Sequence, residues 1–265
     1  MKGKTKVIAL ACHKGGVGKT TTAASLGGVI SVAEKGRVLL VDLDPQMNLT
    51  TTFTDGSFDR TVYDAFCDFK RRRDAELPVY CIRENLDIVP SQMDMCTVDA
   101  DFASFPLRDV MLKKMLAKVR DSYDWIFIDC PAQLGATTVN ALVAAEKVLI
   151  PMSCDAYSVD GLSQVMNFIE LVQEVNTDLD VLGVVVTKFR RNRVADQVVV
   201  EELAAHYGTR LFETRIRESA AIVRAPLEKK DIYMYDRRCT GSVDYAALAR
   251  EVAQKIEGSD GHGKR

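Results

Sequence analysis

Lys14-Gly15-Gly16-Val17-Gly18-Lys19-Thr20-Thr21 follows an apolar run at residues 7–11 and leads into a small-residue segment of helical period at residues 21–33. A strand, a glycine turn and a helix start in that order predict a phosphate cradle. Gly15, Gly16 and Gly18 are expected to take positive φ and let the backbone approach a bulky anion that a Cβ would hold off. The N–H groups of the loop, Val17 and Thr21 included, then form an anion nest to which the following helix adds the positive end of its dipole. Lys19 supplies a mobile point charge for β and γ phosphates, and the Thr20 hydroxyl is placed to ligate magnesium.

The ordinary pattern G-x-x-x-x-G-K-[ST] is met except at its first glycine, where His13 stands, and a second lysine, Lys14, follows. This stretch resembles the deviant P-loop of the ParA/MinD group of ATPases. In that group the early lysine reaches the phosphates of nucleotide held by a second subunit. The resemblance therefore implies ATP and Mg2+ as cofactors, and Lys14 implies a homodimer with ATP sandwiched at its interface.

Two more strand ends fit this site. The apolar run 37–41 ends in Asp42-Leu43-Asp44-Pro45-Gln46, and the run 125–128 ends in Asp129-Cys130-Pro131. Ligands of open α/β sheets bind outside the carboxyl ends of the strands, so these acids are expected beside the loop. Asp129 reads as the Walker B magnesium ligand. Residues 41–51 resemble the motif V-D-x-D-P-Q-x-x-x-[ST] of the ParA group, which implies that Asp44 orients the attacking water and Asp42 helps hold the magnesium shell. Where the family has D-x-P-P, Ala132 replaces the second proline.

At 265 residues with 47% hydrophobic content the chain can bury one large core. Strand and helix signals alternate from residue 7 to residue 187. They predict an α/β fold of three layers, a mostly parallel twisted sheet flanked by helices. One ATPase domain is expected over residues 1–257, with a disordered polar tail at 258–265. Helices are expected at 62–66, 91–100, 107–119 and 243–256. The cysteines at 12, 67, 81, 96, 130, 154 and 239 form no C-x-x-C pair, which argues against a zinc or iron–sulfur site. Neither a signal peptide nor a membrane span is legible, so a cytoplasmic protein without membrane attachment is expected, and the resemblance implies that it associates with the nucleoid.

A net charge of −2 rules out a globally basic nucleic-acid binder but conceals an asymmetry. Residues 188–238 hold twelve Lys or Arg against eight Asp or Glu, a local +4 that leaves −6 elsewhere. Such a patch is the footprint of a sequence-independent phosphate binder. Related partition ATPases bind nonspecific DNA as ATP dimers through arginines in this part of the chain. By that resemblance Arg190, Arg191, Arg217 and Arg224 are the DNA candidates, with the basic run 70–73 a weaker one. Residues 211–226 resemble the family segment of the adenine pocket, which places Lys188 and Pro226 near the nucleotide. Arg224 stands there in place of the usual glutamate.

The resemblance as a whole is to the short ParA type, without an N-terminal DNA-binding domain. It implies slow ATP hydrolysis stimulated by a ParB-like centromere-binding partner. Alternatives that share the core are a MinD-like membrane-positioning ATPase, an ATPase positioning a protein cargo, and an iron–sulfur ATPase. The first lacks an apolar face at residues 257–265, and the last lacks visible cysteine motifs.

Overall fold

The computed structural model describes the backbone of residues 4–154 and 158–262 and the side chains of residues 4–154 and 161–258. Seven strands form one sheet: β1 (Lys6–Leu10), β2 (Val38–Asp42), β3 (Tyr80–Arg83), β4 (Leu86–Val89), β5 (Trp125–Asp129), β6 (Lys147–Ser153) and β7 (Asp180–Thr187). Their order is β3-β4-β2-β5-β1-β6-β7, and every pairing is parallel except the antiparallel β3–β4 hairpin. The expected mostly parallel α/β sheet is the fold observed.

The strands read as unbroken apolar runs because helices cover both faces. Alternate residues divide between two cores, as the two-residue period of a strand requires. Val7, Ala9, Leu39 and Val41 enter one; Ile8, Leu10, Val38 and Leu40 enter the other. The first core is completed by α3 (Val62–Arg72), α5 (Met111–Leu116), α6 (Ala136–Ala144), α7 (Ser158–Gln173) and α8 (Val194–Tyr207). The second is completed by α1 (Lys19–Ala33), α2 (Asn48–Phe53), α10 (Ile232–Tyr235) and α11 (Thr240–His262). The short helices α4 (Val98–Asp101) and α9 (Ala220–Arg224) lie in the connections.

Several expected bounds shift. Helix α3 runs six residues past the expected stop, because a Thr61–Asp64 capping box starts it and Lys70, Arg71 and Arg72 complement its C-terminal dipole. The basic run also has local partners: Lys70 donates to the Asp101 carbonyl, and Arg73 lies over the Phe105 ring. The stretch 107–119 is broken into a 3₁₀ turn at Arg108–Val110 and the short α5. The stretch 91–100 is likewise a 3₁₀ turn at Met93–Thr97 followed by α4. The tail expected to be disordered from 258 continues α11 to His262, since extending a formed helix costs far less than starting one. Residues 263–265 lie outside the described residues. No helix among the described residues is long and apolar enough to cross a membrane.

Candidate functional site

The central strand β1 delivers the chain into the loop 11–18, and α1 begins at Lys19. Gly16 and Gly18 take φ of 74° and 90°, whereas Gly15 does not take positive φ, and a Cβ on it would meet nothing within 4 Å. The expectation for Gly15 is therefore corrected: two residues suffice to turn the loop. Gly18 serves as the α1 N-cap without a side-chain hydrogen bond, and the first turn of α1 carries no acid. The leading N–H groups are left for an anion.

Lys19 is buried at 6% exposure, and its Nζ lies 3.2 Å from the Lys14 carbonyl and 3.4 Å from that of Cys12. The ammonium is thus folded back over the loop. The Thr187 hydroxyl at the end of β7 donates to the Val17 carbonyl at 2.7 Å and pins the loop to the sheet. Lys188 follows with a φ of 52°, and its Nζ stands 4.0 Å from where a Cβ on Gly16 would lie. This charge is brought to the loop itself. A recess of about 190 Å³ lined by Gly18, Thr21, Thr187, Lys188, Ile222 and Tyr245 opens beside the loop. Pro226 lies against Thr21, Ala24 and Ser25 of α1 in a smaller cleft. Phe189 is buried in the first core and packs under Arg215 instead of facing the recess.

Asp42 and Asp129 end adjacent strands in register, and both are fully buried. The Asp42 carboxylate is saturated: Oδ1 accepts from Asp44 N–H, and Oδ2 accepts from Thr50 N–H and Thr50 O–H. Neither oxygen of Asp129 has a well-directed hydrogen bond, although the Thr20 side chain is near enough to favour its ionised form. An orphaned buried carboxylate beside a hydroxyl at a phosphate loop fits a hard divalent cation, whose charge would replace the missing partners. Asp129 and Thr20 fit that role; the donors on Asp42 tie it to the loop that carries Asp44. Burial also pushes the Cys130 thiol far up, which marks it as an inert core residue.

Burial raises the Asp42 carboxyl to about 6 against the opposing hydrogen bonds of Thr50. Burial, then the neighbouring Asp42 charge, raises Asp129 as well. A carboxyl with a raised folded-state value binds more protons folded than unfolded. The contribution of Asp42 to stability therefore falls as pH rises from the ordinary carboxylate range to about 6, and that of Asp129 falls in the same direction. A cation at Asp129 offsets that penalty only where the group is ionised. Magnesium with nucleotide is accordingly expected to raise Tm more at about pH 7.5 than at about pH 5. Equal shifts in thermal unfolding at the two pH values would contradict this.

The four arginines of the basic segment separate. Arg217 is held by Asp244 of α11, which accepts from its Nε, Nη2 and backbone N–H, and Arg190 pairs with Glu218 at 2.5 Å. Arg191 and Arg224 are exposed and carry no ion pair among the described residues. The sequence reading did not single out Arg215, which stacks on Phe189 and lines an open groove of about 440 Å³ with Arg191, Gln197 and Glu201.

A sequence family described as "AAA domain" matches residues 5–181. The chain is 38% identical over 255 residues to the sporulation initiation inhibitor protein Soj of Bacillus subtilis, spanning 94% of this chain and 98% of that protein. It is 36% identical over 260 residues to the chromosome partitioning protein ParA of Caulobacter vibrioides, spanning 94% of each. The crystal structure of cobyrinic acid a,c-diamide synthase from Mycobacterium smegmatis, with bound ATP analog and magnesium, superposes with a TM-score of 0.83 at 29% identity over 96% of each chain. With relatives at 36–38% identity over nearly their full length, the chain belongs to the ParA/Soj family of partition ATPases.

Proposed function

We propose that this ATPase dimerises on ATP, binds nonspecific DNA in that state, and leaves DNA after hydrolysis stimulated by a ParB-like partner. The observation that carries the ATPase part is the orphaned Asp129 carboxylate beside Thr20 and an uncapped helix start. Loop N–H groups from Gly15 to Thr21 hold the phosphates, while Lys19 and Lys188 supply charge to them. Thr20 and Asp129 hold Mg2+, which when bound neutralises phosphate charge. Lys14 reaches across the interface to the second nucleotide. Asp44 orients water for in-line attack; its Oδ1 accepts from Gln46 N–H, which holds the carboxylate against its own turn. The recess beside Thr187 and Lys188 takes the nucleoside.

The DNA part rests on the local +4 of residues 188–238 and on relatives that carry the names ParA and Soj. Within the basic segment the contacts are assigned to Arg191 and Arg224, joined by Arg215. Arg190 and Arg217 already neutralise Glu218 and Asp244.

The test is binding to nonspecific duplex DNA with no nucleotide, ADP or ATP, in wild type and Asp44→Ala, at two salt concentrations. ATP-dependent binding that lasts longer in Asp44→Ala supports the cycle. Absence of binding in every state despite ATP-driven dimerisation overturns it in favour of a protein cargo. In the same assay Arg191→Ala is expected to weaken binding and to lower the logarithmic salt slope by about one. Arg217→Ala is expected to show its larger effect in thermal stability, because it releases Asp244. A larger change in salt slope for Arg217→Ala than for Arg191→Ala would reverse the assignment.

A further inference from the structure

We infer that Ser91 is a positioning residue for ATP hydrolysis, acting through a buried hydrogen-bond chain that fixes the backbone of Asp44. The inference rests on the proposed role of Asp44 in orienting water.

The loop after β2 turns sharply, with Met47 in the left-handed region at φ 57°. Such a turn is held by its surroundings, and here the holding is visible at each end of Asp44. On one side the Asp44 N–H donates to Asp42 Oδ1 at 3.0 Å. On the other side the Asp44 carbonyl accepts from Met47 N–H at 2.9 Å and from the Ser91 hydroxyl at 2.8 Å. Ser91 also donates its backbone N–H to Thr50 Oγ1 at 3.0 Å, and that hydroxyl donates onward to Asp42 Oδ2 at 2.7 Å. The ring closes on itself: Asp44, Asp42, Thr50, Ser91 and back to Asp44.

Asp42, Thr50 and Ser91 are all at or below 1% exposure. In that dry setting each bond is strong and each loss leaves an unpaired group. Asp42 and Thr50 belong to one short segment and fix their own neighbourhood. Ser91 lies two residues past the end of β4 and 47 residues from Asp44, and it ties this segment to the connection that leaves the sheet there. The Ser91 side chain reaches the main chain of Asp44, and it is not among the residues that line the recess beside the phosphate loop. Its effect is therefore on where the Asp44 carboxylate points, and nucleotide affinity is left alone. Displacements of an ångström or less at a reacting group cost rate steeply.

The test is single-turnover hydrolysis of saturating Mg-ATP by the full chain, with ATP affinity and Tm measured in parallel. Ser91→Ala is expected to lower the hydrolysis rate about tenfold with ATP affinity changed by less than about twofold. Thr50→Val, which keeps the shape and removes the hydroxyl, is expected to do the same, and Thr50→Ser to restore the rate. Adding Ser91→Ala to Asp44→Ala is expected to cost nothing further in rate, because the residue to be positioned is already gone. Wild-type hydrolysis by Ser91→Ala, or equal losses of rate and affinity, would overturn the inference. Should Ser91→Ala fail to fold, the contrast between Thr50→Val and Thr50→Ser decides, and equal rates in those two overturn it. If Asp44→Ala itself turns over at the wild-type rate, the role of Asp44 has failed, an outcome separate from the failure of Ser91.

Discussion

Lys19→Ala is expected to lower ATP turnover by about a hundred- to a thousandfold, the range seen when one charge-stabilising donor is removed from a site of this kind. Two effects combine. The ammonium is the buried cation of the loop, and its charge acts where water is largely excluded. It also bonds to the carbonyls of Cys12 and Lys14, so its removal loosens the turn that aims the N–H groups. Lys19→Arg is expected to recover little, because a planar fork cannot take the place of a compact ammonium folded against two carbonyls. The check is steady-state phosphate release under saturating Mg-ATP with calorimetric nucleotide binding. Turnover within about tenfold of wild type in Lys19→Ala would remove Lys19 from the charge-stabilising role.

Asp231→Ala is expected to destabilise the fold by about 3–5 kcal/mol, the range for breaking a buried ion pair on one side. Asp231 sits at the start of α10 with a fully buried side chain. Its Oδ1 accepts from Tyr233 and Met234 N–H, a cap worth about 1 kcal/mol alone. Arg83 Nη1 lies 2.7 Å from Oδ2, close enough for an ion pair although no well-directed hydrogen bond enters that oxygen. Loss of the carboxylate would leave the Arg83 charge, 21% exposed, facing α1 with Ser31 Oγ as its remaining partner. A Cβ on Gly28 would stand 2.2 Å from Asp231 Oδ1, so Gly28→Ala is expected to act in the same direction by forcing the pair apart. Denaturant unfolding measures both, and a loss below about 1 kcal/mol for Asp231→Ala would show the pair to be dispensable.

The course of the fold around the nucleotide was legible because chemistry constrains contiguous residues there. A phosphate loop needs its glycines, lysine and hydroxyl in one short run, and the acids must leave the ends of buried strands, as Asp42 and Asp129 do. What depends on distant partners was not legible. Nothing local distinguishes Arg217, whose partner Asp244 is 27 residues away, from the exposed Arg191. Ser91 was invisible for the same reason. Helix α8 was missed because its apolar residues do not form one stripe: Val200 and Leu203 are buried while Val194 and Val198 are exposed. The reading of 107–119 failed differently, since a sound helical period was divided by a 3₁₀ turn that Asn140 of α6 straddles, donating to the Arg108 carbonyl and accepting from the Leu112 N–H.

The rims of the sheet set a limit on how this chain can assemble. On one side β3 is four residues long, runs antiparallel and shifts register between Cys81 and Arg83. On the other, β7 is overlaid by residues 211–217, with Phe212 and Ile216 N–H donating to the Val184 and Val186 carbonyls. A short bulged margin and a margin already hydrogen-bonded offer no template to a foreign strand. A second copy of this chain therefore finds no strand rim that it could extend. The sheet is thereby kept from sharing a ladder of backbone hydrogen bonds with other copies, the contact that would lock them into a fibre.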